Sequence, residues 1–190
     1  MSKRRLSYTG QFIATEKEVS APKDGKRPRP LPVFWNDDQS TATRELLARA
    51  SETSSSPVSL TRELVKLLNM KPADQNTALL LSQASASAEL LMQLLNQARV
   101  PARLVIALYL EDARRRQRLT PLVEVYTGEE WLLFNPQTGA TGLPANLLLW
   151  HRQGNSLLDV TGGRRSRVSF SMIQQSVPSR QLALAKNSDT

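Results

Sequence analysis

Nucleophilic catalysis needs a side chain that attacks and a base that takes its proton. The 190-residue sequence contains no cysteine, so thiol chemistry, disulfides and cysteine-bound metals are excluded outright. Its single imidazole, His151, cannot build a multi-histidine metal site, and neither a metal nor another cofactor is expected. Hydroxyl and carboxylate chemistry remain. Ser82, Ser85 and Ser87 gather in the stretch SQASASAELL, where a helix is expected to begin, and any of them could be read as a nucleophile. Such a serine would still need a base. His151 lies in the run LLLWHR, beyond the expected core strands, and reads as a surface or packing residue. Glu124, in VEVY, is the other formal candidate, but a strand carboxylate more commonly faces solvent.

The elements that would position these groups follow from periodicity and punctuation. Residues 6–19 read as one strand, followed by a linker, APKDGKRPRPLP, whose prolines and charges block helix and sheet. Trp35, Asn36, Asp37 and Asp38 offer capping side chains to a short helix over 41–50. Ser56-Pro57 is a start signal, an N-cap serine before a proline at the first helical position. The helix it opens runs to about Asn69, with Leu60, Leu64, Leu67 and Leu68 on one face, and Lys71-Pro72 ends it. Residues 77–81 are too short an apolar run to assign from periodicity, and read as a buried connector.

The next helix, over 85–99, places Leu90, Leu91, Leu94, Leu95 and Ala98 along a wide apolar face and is expected to be central to the domain. Residues 104–110, apolar on both faces, predict an interior strand. A polar turn over 111–119, a return strand over 122–126, a Thr127-Gly128 turn and a strand over 131–134 complete a meander. Beyond it lie 147–150, 157–160, a Gly162-Gly163 turn and a half-buried strand over 167–173. The domain division expected is a leader over 1–38, a folded domain over 39–176 and a tail over 177–190.

The formal net charge is +8, which signals nucleic acid or an anionic surface only if the charge is gathered on one face. It is distributed over the leader, over Arg114, Arg115, Arg116 and Arg118, and over Arg164, Arg165 and Arg167. No aromatic residues interleave these clusters as stacking platforms, so solvated or membrane-facing charge is expected and nucleic acid is not. The arginine-rich turn is expected to be exposed, because its guanidinium groups repel one another. No apolar run approaches the roughly 18 to 20 residues that span a bilayer. The chain as given reads as soluble, and MSKRRLSYTG lacks the apolar stretch of a signal peptide.

Helix, strand, hairpin and two further strands, with Pro101-Ala102-Arg103 after the helix and Glu124-Val125-Tyr126 and Trp131 later, resemble the core of the transglutaminase-like superfamily of papain-type cysteine enzymes. Active members carry a cysteine 17 residues before the proline, a histidine four before the glutamate, and an aspartate before the proline of the last strand. Here those positions hold Ala84, Thr120 and Asn135. Alanine supplies no nucleophile, and a threonine hydroxyl is no base near neutral pH. The motifs LPVFW, PARLV, EDARRRQRL, VEVYTGEEWLLFNPQTGATGLP, LLLWHR and GGRRSRVSFS resemble, over about 31–176, the bacterial family of inactive transglutaminases fused to seven transmembrane helices.

The resemblance implies an α+β fold with a transglutaminase-like, papain-type core, its central helix packed on a mainly antiparallel sheet. It also implies a degenerate domain on the periplasmic side of the bacterial inner membrane, attached to membrane-embedded helices, with an ATP-grasp ligase and a retropepsin-like protease as genetic neighbours. The function expected is non-catalytic binding or sensing of a peptide, amino acid or cell-wall-derived ligand. Ser85, Thr120, Glu124 and Asn135 are the candidate ligand-binding residues, and Ala84, Thr120 and Asn135 are expected to converge on one cleft. Helix N-terminal amides there would favour a carboxylate. A serine-dependent hydrolase or acyltransferase and a protein-docking scaffold are the alternatives.

Overall fold

The computed structural model describes residues 28–109, 119–144 and 146–152. Its helices are α1 (Asp37–Glu52), α2 (Pro57–Asn69), α3 (Gln75–Gln83) and α4 (Ser87–Gln97), and its strands are β1 (Ala102–Tyr109), β2 (Leu119–Tyr126), β3 (Trp131–Phe134) and β4 (Leu147–Arg152). The expected strand over 6–19, the arginine-rich turn, the elements proposed over 157–173 and the tail lie outside the described residues.

Local side-chain chemistry sets the helix starts. Asn36 accepts the Gln39 N–H at 2.8 Å while the Gln39 side chain accepts the Asn36 N–H at 3.0 Å, so α1 begins at Asp37, four residues ahead of the periodicity-based expectation. Ser56 and Ser59 cap α2 in the same reciprocal way, with Pro57 at the first helical position as the sequence predicts. The stretch read as a connector is a helix. Asp74 accepts the Thr77 N–H at 3.0 Å to start α3, and Thr77 and Leu80 are buried beneath it.

Helix α4 is shorter at both ends than its apolar periodicity suggests. At its end Arg99 takes a left-handed φ of 62°, the Val100 N–H bonds the Leu95 carbonyl at 2.9 Å and the Arg99 N–H bonds the Asn96 carbonyl at 3.0 Å. This pair of bonds is a Schellman stop, here built without glycine. Leu90, Leu91, Leu94 and Leu95 are almost wholly buried, and α4 lies across β1 and β2.

The sheet has the order β3-β2-β1-β4 with every pair antiparallel, so β1, apolar on both faces, is interior as its composition requires. Strand β2 starts at Leu119, before Pro121, rather than after it. Pro121 is tolerated because β3 pairs with β2 only from Val123 onward, so the missing N–H falls where no β3 residue faces it. Alternation divides the sheet. Ala102, Val123, Val125 and Phe134 join the helix-side core, whereas Val105, Ala107, Leu122, Leu133 and Leu147 form a second cluster on the opposite face. The architecture is α+β, a helical layer on an antiparallel sheet.

His151 lies beyond β1, β2 and β3 in sequence, as expected, and falls in β4. Its backbone pairs with Ile106 in the β1–β4 ladder, within the sheet.

Candidate functional site

The resemblance to papain-type enzymes expects a nucleophile at the entry to α4. Ala84 closes α3: its N–H bonds the Leu80 carbonyl at 3.1 Å, and its side chain packs against the helix-side core. Ala86, not a serine, is the N-cap of α4 and makes no side-chain cap. The Ser85 hydroxyl instead donates to the Glu89 carboxylate, and Ser82 donates to the Leu79 carbonyl at 2.7 Å. No serine caps α4, and Ser85 finds a charged acceptor one turn on.

Thr120 pairs with Ala107 in the β1–β2 ladder, and Ala107 belongs to the second cluster. Asn135 follows β3. Its Nδ2 donates to the Tyr109 hydroxyl at 3.3 Å, and its Oδ1 accepts the N–H groups of Gln137 and Thr138 at 2.9 and 3.2 Å. The ring of Tyr109 packs against the second cluster as well. Thr120 and Asn135 thus accompany the second cluster, while Ala84 accompanies the first. Among the described residues, no hydrogen bond joins Ser85, Thr120 and Asn135 to one another.

Glu124 departs from its sequence reading in a specific way. It is 5% exposed, not solvent-facing, and accepts a 2.6 Å hydrogen bond from Arg103 Nε. The Arg103 guanidinium also covers the Trp131 ring at 4.0 Å, and Trp131 in turn meets Tyr126 at 5.6 Å between centroids. The register makes this possible, since Arg103 pairs with Glu124 and Tyr126 with Trp131 across neighbouring strands. The Glu124 carboxylate is thus taken up in an ion pair on the sheet.

Two clefts lie elsewhere, and sequence reasoning found neither. One, of about 300 Å³, is lined by Arg62, Val65, Lys66 and Asn69 of α2 and by Gln137, Thr138 and Gly139 of the turn after β3. The other, of about 210 Å³, lies between α1 and α3 beside Glu45, Arg49, Asp74 and Asn76. There the hydrogen bond from Arg49, at 2.6 Å, and the bond from the Thr77 N–H hold the Asp74 carboxyl at about 2, below its ordinary 3.8. Spacing of Arg62, Val65, Lys66 and Asn69 marks one helical face, but which loop that face meets is a tertiary matter.

Residues 2–84 match the family described as inactive transglutaminase fused to seven transmembrane helices. No curated protein and no solved structure matches the chain.

The inactive-transglutaminase match covers α1, α2 and α3 and ends at Ala84, so it does not extend to Thr120, Glu124 or Asn135. That family is described as inactive and as fused to membrane helices, which is the description of a non-catalytic domain in a membrane protein. No single helix among the described residues is long and apolar enough to cross a membrane. Helices α3 and α4 together have the length and apolarity, but they meet at 114° and Leu80, Leu90, Leu91, Leu94 and Leu95 are buried in the core. Among the described residues no group of three metal-ligating side chains is assembled.

Proposed function

We propose that this chain is a non-catalytic ligand-binding or sensor domain with a transglutaminase-like, papain-type core, serving a membrane protein from the periplasmic side of the bacterial inner membrane. The observation that carries the reading is the chemistry of the α4 entry. With Ala84 at the expected nucleophile position, no cysteine anywhere in the chain and the Ser85 hydroxyl engaged by Glu89, a helix that would activate a nucleophile has none to activate. The family description supports it through the word inactive, and the order of helix then antiparallel strands supports the core assignment. The ligand is a peptide, an amino acid or a cell-wall fragment, and the signal passes to the membrane helices of the parent protein. The ATP-grasp and retropepsin-like neighbours are partners in the same process.

The test measures chemistry and binding on the same preparation. The protein is expected to release nothing from a fluorogenic peptide amide, to transfer no acyl group to an amine, and to leave a fluorophosphonate probe unreacted. It is expected to bind short peptides with a free carboxylate saturably, read by NMR shift changes. Turnover, or stoichiometric labelling of one serine, would establish the hydrolase alternative and remove this reading.

A further inference from the structure

We infer that the cleft between α2 and the turn after β3 binds a single carboxylate carried on a small apolar group, as at the C-terminus of a short peptide. This rests on the ligand-binding reading and assigns it a site different from the α4 entry. One wall is a helical face. Arg62, Val65, Lys66 and Asn69 recur at three- and four-residue spacing and so project to the same side of α2. The other wall is a turn held in place by polar bonds. The Asn135 side chain holds the N–H groups of Gln137 and Thr138, the Gly139 N–H bonds the Asn135 carbonyl at 2.8 Å, and the Asn69 amide bridges to the Pro136 carbonyl at 2.8 Å. Gly139 has a φ of 73°, and a Cβ there would stand 3.6 Å from Val65, so the backbone passes close over the apolar floor. The space between the walls is fixed by both elements.

Charge decides the ligand class. Lys66 is partly neutralised by Glu63 at 3.2 Å, whereas Arg62 makes no ion pair among the described residues. The cleft therefore offers about one uncompensated positive charge, which suits a monoanion better than a doubly charged phosphate. Guanidinium presents two parallel N–H groups, the geometry that a carboxylate accepts. Gln137 and Thr138 supply further side-chain hydrogen-bonding groups, and the aliphatic stems of Arg62 and Lys66 beside the edge of Val65 supply the apolar part of the lining. The cleft is open on one side, and its volume of about 300 Å³ takes one or two residues, not a folded partner.

The experiment titrates acetyl-Ala-Ala with a free carboxylate, its C-terminal amide, and inorganic phosphate into isotope-labelled full chain, and follows backbone NMR shifts. The free acid is expected to shift residues 62–69 and 137–139, and the amide and phosphate to bind at least tenfold more weakly. Arg62→Gln should weaken the acid about tenfold, as loss of one charge-assisted hydrogen-bonding group implies, while Arg44→Gln on exposed α1 leaves it unchanged. Phosphate binding as tightly as the acid would overturn the carboxylate assignment. Shifts centred on the α4 entry, or an Arg62→Gln variant with unchanged affinity, would overturn the site and leave the binding-domain reading standing. No response to any of the three probes at millimolar concentration would bring down both.

Discussion

The side-chain oxygen of Asn96 accepts the Leu31 N–H at 2.8 Å, joining residues 65 positions apart. The same amide donates to the carbonyls of Met92 and Ala102, each at 2.8 Å, and its oxygen also accepts the Ala102 N–H at 3.3 Å. Asn96 is 4% exposed, so one buried amide ties the proline-rich entry segment to α4 and to the first residue of β1. Asn96→Leu keeps the branched heavy-atom shape but leaves the Leu31 and Ala102 backbone groups without this partner. A loss of about 3 kcal/mol in urea unfolding is expected. Proteolysis should cut the segment before Trp35 faster in the variant, and an unchanged cutting rate would show that Asn96 does not hold it.

Asp74 gives the fold a specific acid sensitivity. Its folded value, about 2, lies below the ordinary 3.8, so the folded state binds fewer protons than the unfolded state between them. The contribution is fully present above about pH 4 and is lost as pH falls through about 2. Asp74→Asn should flatten the stability profile in that window and lower stability near neutrality. Arg49→Gln should move the Asp74 titration, followed by carboxyl NMR, back toward the ordinary value. A profile identical in all three proteins would rule out the Arg49–Asp74 link.

Arg99 holds a left-handed conformation that costs an L-residue about 1 kcal/mol and glycine almost nothing. Arg99 is exposed and its backbone alone makes the Schellman bonds, so Arg99→Gly should stabilise the protein, raising Tm by roughly 2 to 4 °C. Arg99→Val should lower it, because a β-branched residue tolerates this φ less well. Equal melting temperatures for the two variants would contradict the assigned stop.

The Arg103–Glu124 pair predicts an asymmetry between partners. Arg103→Ala removes the guanidinium from both Glu124 and the Trp131 ring, and losing this charge-assisted hydrogen bond is expected to cost about 2 kcal/mol. Because Arg103 stacks on Trp131 at 4.0 Å, the variant should also shift the tryptophan emission of the folded protein. Arg103→Lys should recover only part of the stability, since an ammonium lacks the planar stack and the fork. Full recovery by lysine would reduce the interaction to simple charge.

Local signals were legible in the chain. Ser56-Pro57 starts a helix because both of its effects, a side-chain acceptor and a tolerated proline, act within three residues. The leucines of α4 and the doubly apolar β1 announce their burial because periodicity carries the geometry of the element itself. The absence of cysteine removes thiol chemistry by atom type, before any folding. Signals that depended on a distant partner were not legible. The run over 77–81 became a helix once Asp74, steadied by Arg49 on another helix, capped it, and Arg99 stopped α4 where no glycine advertised a stop.

The same distinction applies to the candidate site. The resemblance pointed to Ala84, Thr120 and Asn135 as the positions of interest, and the sequence alone says that they carry a methyl, a hydroxyl and an amide. Only the tertiary structure decided their surroundings. Sheet alternation puts Thr120 beside the second cluster, Tyr109 claims the Asn135 amide, and strand register brings Arg103 onto Glu124. It likewise sets the turn after β3 over the α2 face that carries Arg62. Side-chain identity is written residue by residue, but a hydrogen-bond partner or a buried charge requires two segments to meet, and that meeting is settled by the packing of the whole core.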